Sequence, residues 1–172
     1  MEPVRSFNIY DIIKRNADIF PDSVALVHGE KCFTFREYFN EVNALAHYLT
    51  DLGLGPGDRV AILAMNRPEY LFLYGAAAMM GAILVPLNWR LSVEELHHIM
   101  DDCQAGLLLH DASQEESVAA LKIRPGFNVQ LVAMEETHGN SMETGRNRGN
   151  HLHVPPRLPP RYDQDMPKGE DI

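Results

Sequence analysis

Residues 59–86, RVAILAMNRPEYLFLYGAAAMMGAILVP, decide the fold. Arg59 to Ala64 is a short apolar run of strand length. Asn66 is placed to cap the helix that follows, with Pro68 in its first turn and Glu69 at its third position. That helix is expected to run to about Met80, where Gly81 can close it. Ala82 to Pro86 then reads as a second strand. Two strands joined through a helix form a crossover unit, and a crossover makes its strands parallel.

The same stretch raises the possibility of a membrane span, because Tyr70 to Leu87 carries no charge and just reaches spanning length. Gly75, four alanines, Gly81 and Pro86 make it only weakly hydrophobic. Gly81 also divides it into a helix-length and a strand-length piece. A core helix followed by a core strand is therefore expected, and membrane association is not.

Outward from this unit the alternation continues. On the C-terminal side, Ser92 with Glu95 forms a capping box that opens a helix carrying Leu96, Ile99 and Met100 inward. Gly106 to His110 reads as a strand, Ser113 to Ile123 as a helix and Gln130 to Ala133 as a last strand. On the N-terminal side, a short amphipathic helix spans about Asn8 to Phe20 and stops at Pro21. Ser23 to His28 and Lys31 to Phe35 flank Gly29-Glu30 as a hairpin. Thr34 with Glu37 caps a second helix, whose inward face holds Tyr38, Val42, Leu45, Ala46 and Leu49. The fold class is α/β, a mostly parallel sheet with flanking helices and a small N-terminal hairpin.

Residues 1–133 form this body. From residue 134 the periodicity ends, and residues 151–172, HLHVPPRLPPRYDQDMPKGEDI, hold five of the chain's eleven prolines. Residues 134–172 are expected to be disordered. Within them Pro155-Pro-Arg-Leu-Pro-Pro160 has the composition of a polyproline ligand, a composition that disordered tails also produce without any partner.

Composition excludes some function classes. The net charge is −9, with 15 basic residues dispersed among 24 acidic ones, so no nucleic-acid partner is expected. Cys32 and Cys103 are the only cysteines and form no paired motif, which suits a reducing cytoplasm. The N-terminus has no unbroken apolar segment of the secretory kind. Gly53-Leu-Gly55-Pro-Gly57 is glycine-rich, but it follows a helix and opens a strand. A phosphate-cradling loop has the opposite order, so this one reads as a turn. His97, His98, Asp101 and Asp102 lie close together, with His98 and Asp102 on one helix face, yet no further ligand stands at a defined spacing. No metal site and no catalytic residue are assigned.

Three ordered blocks carry a resemblance: residues 24–62, VALVHGEKCFTFREYFNEVNALAHYLTDLGLGPGDRVAI; residues 65–88, MNRPEYLFLYGAAAMMGAILVPLN; and residues 88–109, NWRLSVEELHHIMDDCQAGLLL. Together they resemble the N-terminal region of the acyl-adenylate-forming (AMP-binding) superfamily, over about residues 7 to 133. VPLNWRLSVEEL looks closest to its acid–CoA ligase branches, the acyl-CoA synthetases of fatty or aromatic acids. The resemblance implies an incomplete N-terminal subdomain of that fold. It implies a ligase that joins a carboxylic acid to ATP as an acyl-adenylate and passes the acyl group to coenzyme A. ATP, Mg²⁺ and CoA are the implied cofactors of the full-length enzyme, and the carboxylic acid is its substrate. In some relatives an arginine matching Arg90 meets a phosphate of CoA, which makes Arg90 the one candidate cofactor contact; a surface arginine is the competing reading.

The departure from the family pattern is as informative as the match. The family's small-residue loop ending in Pro-Lys, its adenine and ribose motifs and its catalytic lysine domain are not found in this chain. Pro167-Lys168-Gly169 echoes the loop's end, but the residues before it, YDQDM, are not small. The chain is therefore expected to bind none of these cofactors tightly and to be inactive by itself. An alternative is a non-catalytic α/β interaction module that docks on a full-length ligase or another partner. In either case its parallel strands are expected to lack cover and to promote self-association.

Overall fold

The structure, a computed structural model, describes residues 7–134 and the backbone of residues 151–152. Helix α1 (Ile9–Ile19) opens on a capping box in which Asn8 accepts from the Tyr10 and Asp11 amides while Asp11 accepts from Asn8 N. Strands β1 (Val24–His28) and β2 (Lys31–Thr34) pair antiparallel as the hairpin. Helix α2 (Phe35–Asp51) has the Thr34–Glu37 capping box at its start.

The large sheet follows: β3 (Arg59–Leu63), α3 (Pro68–Met80), β4 (Ile83–Leu87), α4 (Val93–Cys103), β5 (Leu107–Asp111), a 3-10 turn (Ala112–Gln114), α5 (Glu115–Lys122) and β6 (Gln130–Met134). With the two-residue strand β7 (His151–Leu152) its order is β4-β3-β5-β6-β7, and every pairing is parallel. The fold is the α/β architecture expected. The glycine-rich segment 53–57 connects α2 to β3 as a turn, with Gly53 and Gly57 at φ of 91° and 84°, where a side chain would be strained.

Alternating side chains divide the core between the two faces of the sheet. Val60, Ile62, Leu107, Leu109 and Val132 meet α1, α2 and α3 on one face. Ala61, Leu63, Leu87 and Leu108 meet α4 and α5 residues such as Leu96, Met100, Val118 and Leu121 on the other. Phe33 of the hairpin packs edge-on to Phe72 of α3 at 5.3 Å, which ties the small sheet to the first layer.

Four findings correct or refine the sequence reading. Asn66 is not the cap of α3. The cap position is Arg67, in an extended conformation with φ −154° and ψ 158° and no side-chain cap bond. The residue before a proline is pushed out of the helical region, and a proline at the first helical position has no amide to satisfy. The helix therefore begins at Pro68, one residue later than an Asn66 cap requires.

Strands β3 and β5 do not lack cover, because the helices close over both faces and Val60 to Leu63 are fully buried. In the tail, His151–Leu152 form β7 and pair with β6, so those two residues are not irregular; the rest of 135–172, including 155–160 and 167–169, lies outside the described residues. Finally, α3 ends at Met80, and no helix among the described residues is long and apolar enough to cross a membrane.

Candidate functional site

Parallel strands end together, so the loops after β3, β4 and β5 share one rim. From β3 the chain crosses to β4 over the face that α3 covers. From β4 it returns past β3 to β5 over the face that α4 covers, and from β5 it goes on to β6 through α5. Loops leaving β3 and β5 thus depart to opposite faces. A crevice at such a reversal of strand order, outside the carboxyl ends, is where open α/β sheets bind ligands.

The buried polar side chains gather at this rim. Among the described residues they are His110, Asp111 and Gln114, each under 9% exposed. Asp111 ends β5. Its Oδ2 accepts the Met65 amide at 2.9 Å and its Oδ1 accepts the Ser113 hydroxyl at 2.6 Å. Gln114 Nε2 donates to Ser113 Oγ at 3.0 Å, and Tyr70 donates to the Ala64 carbonyl at 3.3 Å. The carboxylate therefore bridges the β3 loop and the β5 loop across the crevice. With both oxygens engaged it is a brace between loops rather than a free base.

Beside it, Arg67 and Glu69 form a bidentate ion pair, Nε to Oε2 at 2.7 Å and an Nη to Oε1 at 3.0 Å, with both side chains largely buried. Burial pushes the Glu69 carboxyl up. The hydrogen bonds from Arg67 and from its own backbone amide, together with the charges of Arg67 and Lys31, outweigh burial and hold it below the usual carboxylate range.

Arg90 lies on the next loop of the same rim, between β4 and α4. Its amide donates to Asn88 Oδ1 at 3.1 Å, and Leu91 N donates to the Asn88 carbonyl at 3.1 Å, closing a tight turn. The side chain is exposed, with Cζ 4.1 Å from the centroid of the Trp89 ring. Among the described residues no carboxylate pairs with it.

The acidic and histidine group on α4 is not part of this rim. His98, Asp101 and Asp102 are exposed, and His97 Nε2 sits 3.3 Å from the Pro125 carbonyl oxygen. Among the described residues no three His, Cys, Asp or Glu side chains converge as a metal site would require. A pocket of about 280 Å³ lined by His97, Asp101, Gln104, Phe127 and Asn128 opens at the opposite edge, where β5 and β6 begin. The residues present do not fit Mg-ATP, since no amide-lined anion loop and no convergent carboxylates occur among those described. They do fit one phosphate contact, at Arg90.

The family model for AMP-binding enzymes matches residues 13–167. The chain belongs to that family. A feruloyl-CoA synthase of Amycolatopsis is 43% identical over 107 residues, 62% of this chain and 22% of the relative. The inhibitor-bound N-terminal domain of FACL13 from Mycobacterium tuberculosis superposes with TM-score 0.72 and 25% identity, covering 85% of this chain and 40% of the other. The anthranilate CoA ligase AuaEII, solved with anthranoyl-AMP, gives TM-score 0.71 and 25% identity over 77% of this chain and 26% of its own. The chain thus corresponds to the N-terminal part of acid–CoA ligases and spans about a fifth of the length of the feruloyl-CoA synthase. The match continues past residue 133, the end of the body read from periodicity. The Asp111 brace was missed in the sequence. Its one signal is a charged residue closing the apolar run LLLHD at a strand's carboxyl end.

Proposed function

We propose that this chain is the N-terminal part of an ATP-dependent acid–CoA ligase and is inactive by itself. In the complete enzyme a carboxylate attacks the α-phosphorus of ATP, releasing pyrophosphate and leaving an acyl-adenylate. The CoA thiol then displaces AMP to give the acyl-CoA. Arg90 is the residue assigned to CoA, as a contact to one of its phosphates. The observation that carries the reading is the rim itself: an exposed arginine without a carboxylate partner among the described residues, on a turn beside a braced switch-point crevice, in a chain of the AMP-binding family whose relatives and fold neighbours include acid–CoA ligases. The named relatives suit an aromatic or fatty acid substrate, and a cytoplasmic setting suits the two unpaired cysteines.

Inactivity follows from charge stabilisation. Phosphoryl and adenylyl transfer need positioned donors and metal around the transferring phosphates, and this sequence supplies no loop of that kind. The test is acid-dependent exchange of labelled pyrophosphate into ATP by the purified chain. No exchange above background is expected with ferulate, benzoate or fatty acids. Exchange above background with any of them would overturn the claim of inactivity.

A further inference from the structure

An exposed arginine ordinarily samples many rotamers, and ordering it on a ligand subtracts from affinity. Arg90 is constrained at both ends. Its backbone is fixed in the turn by the Asn88 side-chain and carbonyl acceptors. Its guanidinium lies 4.1 Å from the Trp89 ring centroid, within the range at which an aromatic face attracts a cation. Trp89 in turn is half-buried and packs against the core beneath α4 and α5, so its ring is anchored rather than free to follow the arginine.

We propose that Trp89 is a positioning residue for Arg90. Its indole face holds the guanidinium plane, while the in-plane N–H donors stay free to fork onto an anionic oxygen. Stacking uses the face of the guanidinium and phosphate pairing uses its edge, so the two do not compete. The ligand in this proposal, a phosphate of CoA, rests on the reading of Arg90 given above. The stacking does not, and the two are tested separately.

Trp89 is the chain's single tryptophan, so indole fluorescence reports on this one place. In NMR spectra of the whole chain, the Arg90 side-chain protons should be shifted upfield by the ring current and should return to ordinary positions in Trp89→Leu. Titration with CoA should change the Trp89 emission, and pantetheine, which lacks the phosphates, should not. Arg90→Gln should abolish the CoA response while leaving the Trp89 packing intact. Followed by the CoA-induced shifts of Arg90, binding should weaken about two- to five-fold in Trp89→Leu, and Trp89→Phe should recover part of the loss. Ordinary Arg90 resonances in the unmutated protein would overturn the proposal whatever CoA does, even if Trp89→Leu failed to fold. Upfield resonances without any response to CoA, even at concentrations that would reveal weak binding, would overturn the phosphate reading and with it the role given to Trp89. Equal CoA affinity in a folded Trp89→Leu would overturn the positioning role alone.

Discussion

Asp111 shows how a single side chain can hold a rim together. It brings a carboxylate into a nearly closed environment, and the two donors it collects there come from segments 46 and 2 residues away in sequence. Asp111→Ala leaves the Met65 amide without its acceptor and the Ser113 hydroxyl without its own. We expect a loss of about 1–3 kcal/mol, read from urea midpoints, with Asp111→Asn costing less because one acceptor survives. An unchanged midpoint in the alanine variant would refute the brace. Tyr38 makes the opposite kind of contribution, through its neutral form. Burial pushes its phenol up to about 12, and its hydroxyl donates to the Leu71 carbonyl at 3.1 Å. The native state therefore keeps a proton that the unfolded chain loses near pH 10. The stabilisation is complete below pH 10 and disappears as the pH rises through about 12. Denaturant midpoints measured across that window should fall, and should fall less in Tyr38→Phe.

Gly75 decides how closely three helices can approach. A Cβ placed there would stand 2.7 Å from Val42 Cγ2 and 2.9 Å from Ile13 Cδ1, so α3 rests directly on α2 and α1. In an exposed helix, alanine for glycine would stabilise by about 1 kcal/mol. Here the overpacking of a stiff β-branched neighbour costs roughly 1–3 kcal/mol. Gly75→Ala should therefore be destabilising on balance, and adding Val42→Ala should relieve part of the cost; a stabilised single variant would show that α2 and α3 can part. The sequence made the helices themselves legible, because the Thr34–Glu37 and Ser92–Glu95 boxes are local signals and both form. It placed the start of α3 one residue early because a capping residue and a proline competed, and the proline's constraint on Arg67 prevailed. The Asp111 brace was beyond local reading. It exists only because β3 and β5, distant in sequence, lie side by side. Arg90 could be picked out by resemblance, whereas its contact with Trp89 depends on side-chain placement that no spacing rule supplies.

At the scale of the molecule, the central strands β3 and β5 are closed off from water, and a cluster of exposed apolar side chains lies near the N-terminus. Ile19, Phe20, Val24 and Val27 sit where α1 runs into the hairpin, each more than half exposed. We expect the purified chain to self-associate through this surface, with a sedimentation coefficient that rises with concentration and a weaker rise in Ile19→Lys/Val27→Lys. A concentration-independent monomer would remove the expectation. The open side of β4 is a poorer route, because Pro86 has no amide to offer an incoming strand. The strand order also bears on how the protein is made. β3, the first strand of the large sheet to leave the ribosome, sits between β4 and β5, and β6 then joins beyond β5. At roughly 5–20 residues per second, each new strand emerges to find an edge already waiting for it. Helices α1 and α2 precede them all and are ready to shield one face. Vectorial synthesis and sheet growth therefore run in the same direction, and a nascent chain of this order never has to hold a central strand in reserve for a partner on both sides.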